Sequence, residues 1–193
     1  MLRRLYDWVL ELAAHRHATW ALSAIAFLES SVFPIPPDVM LIPMVLAERV
    51  KAWGFAAVAT ASSVVGGIAG YAIGYFLFEA IGRPVIDFYG YTEAFASFAR
   101  RYNDYGAWIV FFAGVTPFPY KVITIASGAT GLSFPVFVLA SVAARGVRFF
   151  LVSALLYWFG PPIRDFIERR LGLVTSVFVV LLFGGFVLVK YVL

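Results

Sequence analysis

The sequence predicts an all-α polytopic membrane protein. Its core is an inverted repeat of two re-entrant helical hairpins, each followed by a long transmembrane helix. An N-terminal amphipathic helix and a C-terminal transmembrane helix flank that repeat. Three observations lead there. The 193-residue chain is 62% hydrophobic and 13% charged, with a mean hydropathy of +0.89, whereas soluble domains carry about 25% charged residues. Two of its apolar runs are short and end in clustered prolines. Those two proline clusters echo each other in sequence.

The length suits one membrane domain, residues 1–193. The opening stretch MLRRLYDWVLELAAHRH lacks the apolar core and small-residue cleavage site of a signal peptide. Over 2–14, Leu2, Leu5, Tyr6, Val9 and Leu12 oppose Arg3, Arg4, Asp7 and Glu11, so 1–17 is expected to be a helix lying in the membrane interface. Residues 18–33 are apolar but too short to span once Glu29 is counted. Pro34, Pro36 and Pro37 then break the helix, because proline lacks an N–H and disfavours helix in the residue before it. A second short piece, 38–47, ends at Glu48-Arg49-Lys51. The first full-length span is expected at 54–81, completing repeat 1 (18–81). Its Gly66, Gly70 and Gly74 share one face and allow close helix packing.

Residues 82–105 are amphipathic and expected to lie along the opposite surface. Repeat 2 (106–159) follows: a short run 106–116, a break at Pro117 and Pro119, a return 120–130, and a span at 134–159. Gly128 and Gly131 are expected to end the second hairpin. A charged surface stretch, 160–172, leads to a final transmembrane helix at 173–192.

PIPPDVMLI (34–42) aligns with PFPYKVITI (117–125) at an offset of 83, sharing Pro-x-Pro-x-x-Val-x-x-Ile. A single crossing separates the two units, so the second hairpin must enter from the opposite side. Paired, interrupted apolar segments in corresponding positions point to a transporter's binding site. Irregular backbone at membrane depth must be buried in protein or line a cavity. Eight Lys or Arg residues (Arg3, Arg4, Arg16, Arg49, Lys51, Arg164, Arg169, Arg170) fall on one side and four (Arg83, Arg100, Arg101, Lys190) on the other. The positive-inside rule therefore puts the N-terminus in the cytoplasm. The net charge of +4 has the same origin, and nucleic acid is not an expected partner. With no cysteine, disulfide and thiolate chemistry are excluded.

Charged groups within membrane segments are costly and mark pairing or function. Here they are Glu29, Asp38, Lys121, Arg145 and Arg148. Asp38 and Lys121 hold equivalent repeat positions with opposite sign, so facing hairpin tips would let them pair. Arg145 and Arg148 share one helix face, and two guanidiniums facing a cavity suit a phosphate. Plainer roles compete with these. The carboxylates would be solvated at a hairpin mouth, Lys121 would snorkel outward, and the arginines would form structural ion pairs. His15 and His17 have no metal-ligand partners at suitable spacing, and no hydrolase, Walker or zincin motif occurs. No catalytic residue, metal or cofactor is expected.

Glu29…Phe33-Pro34-x-Pro36-x-Asp38, followed by Gly66-x-x-x-Gly70-Tyr71-x-x-Gly74, resembles the DedA family, also called SNARE-associated or VTT-domain membrane proteins. Phe112 to Gly128 and Arg145-Gly-x-Arg148-Phe149 look like its shorter bacterial branch, so the resemblance covers roughly 18–160. It implies a bacterial inner-membrane protein with two opposed re-entrant hairpins. Such proteins are implicated in recycling polyprenyl phosphate and in scrambling phospholipids, with dependence on proton motive force. Glu29 and Asp38 match the family's acidic pair. Many members carry arginines flanking the second-hairpin proline. Here Gly114 and Tyr120 stand there, with Lys121 one residue on, and the identity of the lipid stays open.

The expected function is a flippase or scramblase, non-enzymatic and proton-coupled, in which Lys121, Arg145 and Arg148 attract an anionic phospholipid or polyprenyl-phosphate head group. A homo-oligomer is compatible with this reading. Its rivals are a secondary transporter of a small solute or ion, a membrane-embedded lipid-phosphate enzyme, and a non-catalytic assembly protein.

Overall fold

The computed structural model describes residues 17–33, 36–116 and 118–169. The expected interfacial helix lies, except for His17, outside the described residues, as do Pro34, Pro117 and the expected span at 173–192. Every element among the described residues is helical.

Helices α1 (Ala18–Ser31) and α2 (Asp38–Ala47) form a first broken pair. A 3₁₀ turn (Arg49–Lys51) leads into α3 (Ala52–Leu77). A π-helical turn (Phe78–Gly82) then joins α4 (Arg83–Phe88), and α5 (Thr92–Asp104) follows. The second broken pair is α6 (Gly106–Val115) and α7 (Tyr120–Ala129), and α8 (Phe134–Arg169) closes the described chain. The four arms contain 14, 10, 10 and 10 residues. At 1.5 Å per residue they reach roughly 15–21 Å, short of a hydrocarbon core about 30 Å thick. Two helices are long and apolar enough to cross: the continuous Arg49–Phe88, 40 residues, and Phe134–Gly160, 27 residues.

Both breaks lie where the prolines predict them. α1 ends at Ser31, ahead of Pro36 and Pro37; Pro37 adopts helical dihedrals and starts α2. α6 ends at Val115. Thr116 and Pro119 are extended, and α7 begins at Tyr120. Three expectations change. The first long helix does not stop near residue 81, because the π-turn carries it on into α4, with Pro84 just after that turn. α8 likewise continues past residue 159 through Pro161 and Pro162 to Arg169. Gly131 does close α7, with φ +67 and its N–H donating to the Gly128 carbonyl. Gly128 instead lies inside α7, where a Cβ would strike the Tyr71 carbonyl.

Side-chain contacts fix the directions of the helices. Ser23 meets Ser62 at 2.7 Å and Ser30 meets Ser63 at 2.6 Å. A Cβ on Gly66 would collide with the Phe27 carbonyl, and one on Gly70 with the Ser30 carbonyl. Along Ser23–Ser62, Phe27–Gly66 and Ser30–Gly70 the residue numbers rise together, so α1 runs parallel to α3. α8 runs antiparallel to α3: its Phe134 and Phe137 pack on Tyr71, and its Phe150, Tyr157 and Trp158 pack on Trp53. α6 runs parallel to α8: a Cβ on Gly106 would meet Leu132, just before α8, and one on Gly114 would meet Ala144, ten residues into it.

The glycine face of α3 is where both broken pairs dock. A Cβ on Gly70 would strike the Ser30 carbonyl of α1 and the Thr124 hydroxyl of α7, and one on Gly74 would strike the Ile125 carbonyl. Small residues here let three backbones converge. Polarity is distributed inside out. Ser30, Ser63, Thr124, Ser127, Ser141 and Arg145 are buried, while Trp20, Phe76, Trp108, Phe112 and Leu139 are more than half exposed. An apolar exterior around a polar interior is the arrangement that a hydrocarbon solvent selects.

Candidate functional site

α1 delivers Glu29 and Ser30 to the centre of the molecule, and α8 brings Arg145 and Arg148 to the same region from one face at i and i+3. Arg145 Nη2 donates to Glu29 Oε2 at 2.9 Å, and its Nε donates to Ser63 Oγ at 2.7 Å. Ser30 Oγ donates to Glu29 Oε2 at 3.0 Å and lies 2.6 Å from Ser63 Oγ. A hydroxyl has one proton. Since Ser30 gives its proton to Glu29, Ser63 donates to Ser30 and accepts from Arg145, which closes a ring of four side chains. The guanidinium also lies between two aromatic rings, 4.8 Å from the centroid of Tyr120 and 4.6 Å from that of Phe149. Tyr120 is held in turn by donating to Ser141 Oγ at 2.6 Å. Arg145 is 1% exposed, so this charge is fully enclosed.

The second ion pair is built differently. Arg148 Nη2 donates to Asp38 Oδ2 at 2.5 Å and Nη1 donates to the Thr116 carbonyl at 2.5 Å. The two side chains are 13% and 17% exposed. Asp38 stands in the first turn of α2, where the helix dipole favours a carboxylate. Its Oδ1 is buried and has no hydrogen-bond partner among the described residues.

Lys121 does not pair with Asp38. It donates from Nζ to the Val32 carbonyl at 3.1 Å, and among the described residues it has no carboxylate within ion-pair distance. Arg148 takes the position opposite Asp38 because it reaches over from α8 between the two breaks. The breaks nonetheless meet, since Thr124 Oγ1 donates to the Ser30 carbonyl at 3.0 Å.

All five charges singled out from sequence therefore converge on one region, flanked by Pro36, Pro37 and Pro119. Gly66, Gly70 and Gly74 serve helix packing. Ser63 and Tyr120 were not among the expected site residues. Ser62-Ser63 is the one seryl pair in α3, and Ser63 lies one turn before Gly66 and Gly67 on the face that meets α1, so the helical period carried a signal. Tyr120 was visible only as a departure from the family pattern. At the far end of α3, Tyr75, Phe78 and Phe95 wall a concavity of about 300 Å³ whose Glu79 and Arg83 pair with each other in the open. Among the described residues, no group of three His, Cys, Asp or Glu side chains could hold a metal ion.

The VTT domain matches residues 33–158, about two thirds of the chain. The chain belongs to the DedA, or VTT-domain, family. A protein of Haemophilus influenzae named only as uncharacterized is 36% identical over 185 residues, 95% of this chain and 96% of the relative. A protein of Histophilus somni, also named as uncharacterized, is 36% identical over 156 residues, 81% of each chain. No solved structure matches. The VTT domain takes in Asp38, Lys121, Arg145 and Arg148, and Glu29 lies just ahead of it. As a VTT-domain protein with two apolar helices of spanning length, the chain is a membrane protein.

Proposed function

We propose that this VTT-domain protein moves anionic lipid head groups across a bacterial inner membrane as a flippase or scramblase, with the hydrocarbon tail left in the bilayer. One observation carries the reading. Where the two helix breaks meet there are two carboxylates and three cations, Glu29 and Asp38 against Lys121, Arg145 and Arg148, an excess of one positive charge. An unbalanced cation in a low-dielectric setting favours an anion, and a phosphate matches both an arginine fork and a lysine point charge.

The helix directions support an inverted repeat of re-entrant hairpins. In each unit the first arm runs parallel to the long helix that follows, and the two long helices are antiparallel. The hairpins would then enter from opposite faces and meet near the midplane, the geometry of alternating-access carriers. Arg49 and Lys51 at the start of α3 agree with a cytoplasmic N-terminal side. For proton coupling, Asp38 is the better-placed acceptor, because among the described residues it has one side-chain partner, Arg148, and no donor to Oδ1, while Glu29 Oε2 takes hydrogen bonds from both Arg145 and Ser30. A non-enzymatic role is supported by Ser30 and Ser63, whose hydroxyls are committed to each other and to the ion pair.

The test is purified protein in liposomes carrying head-group-labelled phosphatidylglycerol or a labelled polyprenyl phosphate. Label should become accessible from the opposite leaflet faster than in protein-free vesicles, with the lipid unchanged. Chemical conversion of the lipid would indicate an enzyme instead, and no movement of either lipid by folded protein would defeat the proposal.

A further inference from the structure

The two breaks are tied together by three hydrogen bonds from two cations. Lys121, on the second unit, donates to the Val32 carbonyl of the first. Arg148 donates with one nitrogen to Asp38 of the first unit and with the other to the Thr116 carbonyl of the second. Val32 and Thr116 are the residues that end α1 and α6. Their carbonyls sit at the negative ends of those helices, where no following turn supplies an N–H. The cations are thus closed on acceptors belonging to the chain itself.

We propose, resting on the lipid reading above, that Lys121 and Arg148 form a clasp that an anionic phosphate group opens by substitution. The oxygens of a phosphate replace Asp38 and the two carbonyls as acceptors, and the breaks separate as the ligand binds. The Arg145–Glu29 pair is the fixed partner of this device. It lies one helical turn away on α8, closed in its four-membered ring and clamped between Tyr120 and Phe149. Asp38 is then a competitor of the ligand for Arg148, not a ligand contact. This sets the clasp apart from mere capping of two helix ends, because removing a competing acceptor strengthens binding.

The experiment uses the full chain in dodecylmaltoside micelles, with phosphatidate as the probe and diacylglycerol and inorganic phosphate as comparisons. Phosphatidate, but not diacylglycerol, should speed amide hydrogen exchange at Val32, Phe33, Thr116 and Phe118 in the wild-type protein. Asp38→Asn should bind phosphatidate about ten-fold more tightly, the scale of one charge-assisted hydrogen bond. Lys121→Gln and Arg148→Gln should each weaken binding, and Glu29→Gln should give no gain. Slowed or unchanged exchange at both breaks, or an Asp38→Asn protein that binds no better, would overturn the clasp. If Asp38→Asn fails to fold, the wild-type exchange pattern decides alone. Inorganic phosphate binding as tightly as phosphatidate, with the same Asp38→Asn gain, would keep the clasp and overturn the lipid reading.

Discussion

Two arginine–carboxylate pairs stand three residues apart on α8, and the same chemistry serves them differently. Arg145 and Glu29 are almost wholly enclosed, at 1% and 10% side-chain exposure, and Glu29 Oε2, Arg145 Nε and Nη2 and the hydroxyls of Ser30 and Ser63 are joined in one hydrogen-bonded ring. Arg148 and Asp38 are looser, and one carboxylate oxygen has no donor among the described residues. The first pair joins α1 to α8 with α3 and α7 as walls. The second joins the two breaks to each other. An enclosed pair resists change, because losing either partner strands a buried charge. A pair with spare acceptor capacity at a junction can exchange partners. We read the first as the element that holds the fold and the second as the element that works.

The largest break in that comparison is Arg145→Gln. It leaves Glu29 buried beside two hydroxyls, and stability should fall by about 3–5 kcal/mol, seen as early thermal unfolding in detergent or loss of monodisperse protein. A protein that unfolds at the wild-type temperature would show that the inner pair is dispensable. Next comes Gly74→Val. Even its Cβ would strike the Ile125 carbonyl, and the backbone of α7 cannot yield as a side chain would. A cost of about 1–3 kcal/mol is expected, and the thermal midpoint reads it. Arg148→Gln should cost less, about 1–2 kcal/mol, because Asp38 keeps the favourable end of α2 and lies nearer the surface. Equal losses for Arg145→Gln and Arg148→Gln would erase the distinction. Smallest is Arg83→Gln. It removes an exposed i,i+4 pair with Glu79 and should change stability by no more than about 0.5 kcal/mol.

The two breaks and the long helices were legible because proline and apolar length act locally. Pro36, Pro37 and Pro119 stand in clusters where the apolar runs end, and each lacks the N–H a continuing helix would use; the glycine spacing on α3 marked the face that both pairs use. The five charges were legible as a set because a membrane makes each one conspicuous. Their partners were not. Asp38 and Lys121 matched by repeat position, yet pairing depends on which side chain reaches across, and Arg148 on a different helix reaches first. Ser63 was marked only by its place in the helical period of α3, since a buried hydroxyl has no compositional signature until its partner is known. The extension of α8 through Pro161 and Pro162 ran against local preference, and the sequence reading of a stop near 159 followed that preference.

The most direct measurement is head-group translocation in liposomes by wild-type and Arg148→Gln protein side by side, each first shown to be folded by its thermal midpoint. We expect the wild-type protein to move labelled anionic lipid between leaflets and Arg148→Gln, still folded, to lose most of that movement. Undiminished movement by a folded Arg148→Gln protein would contradict a working role for the second pair.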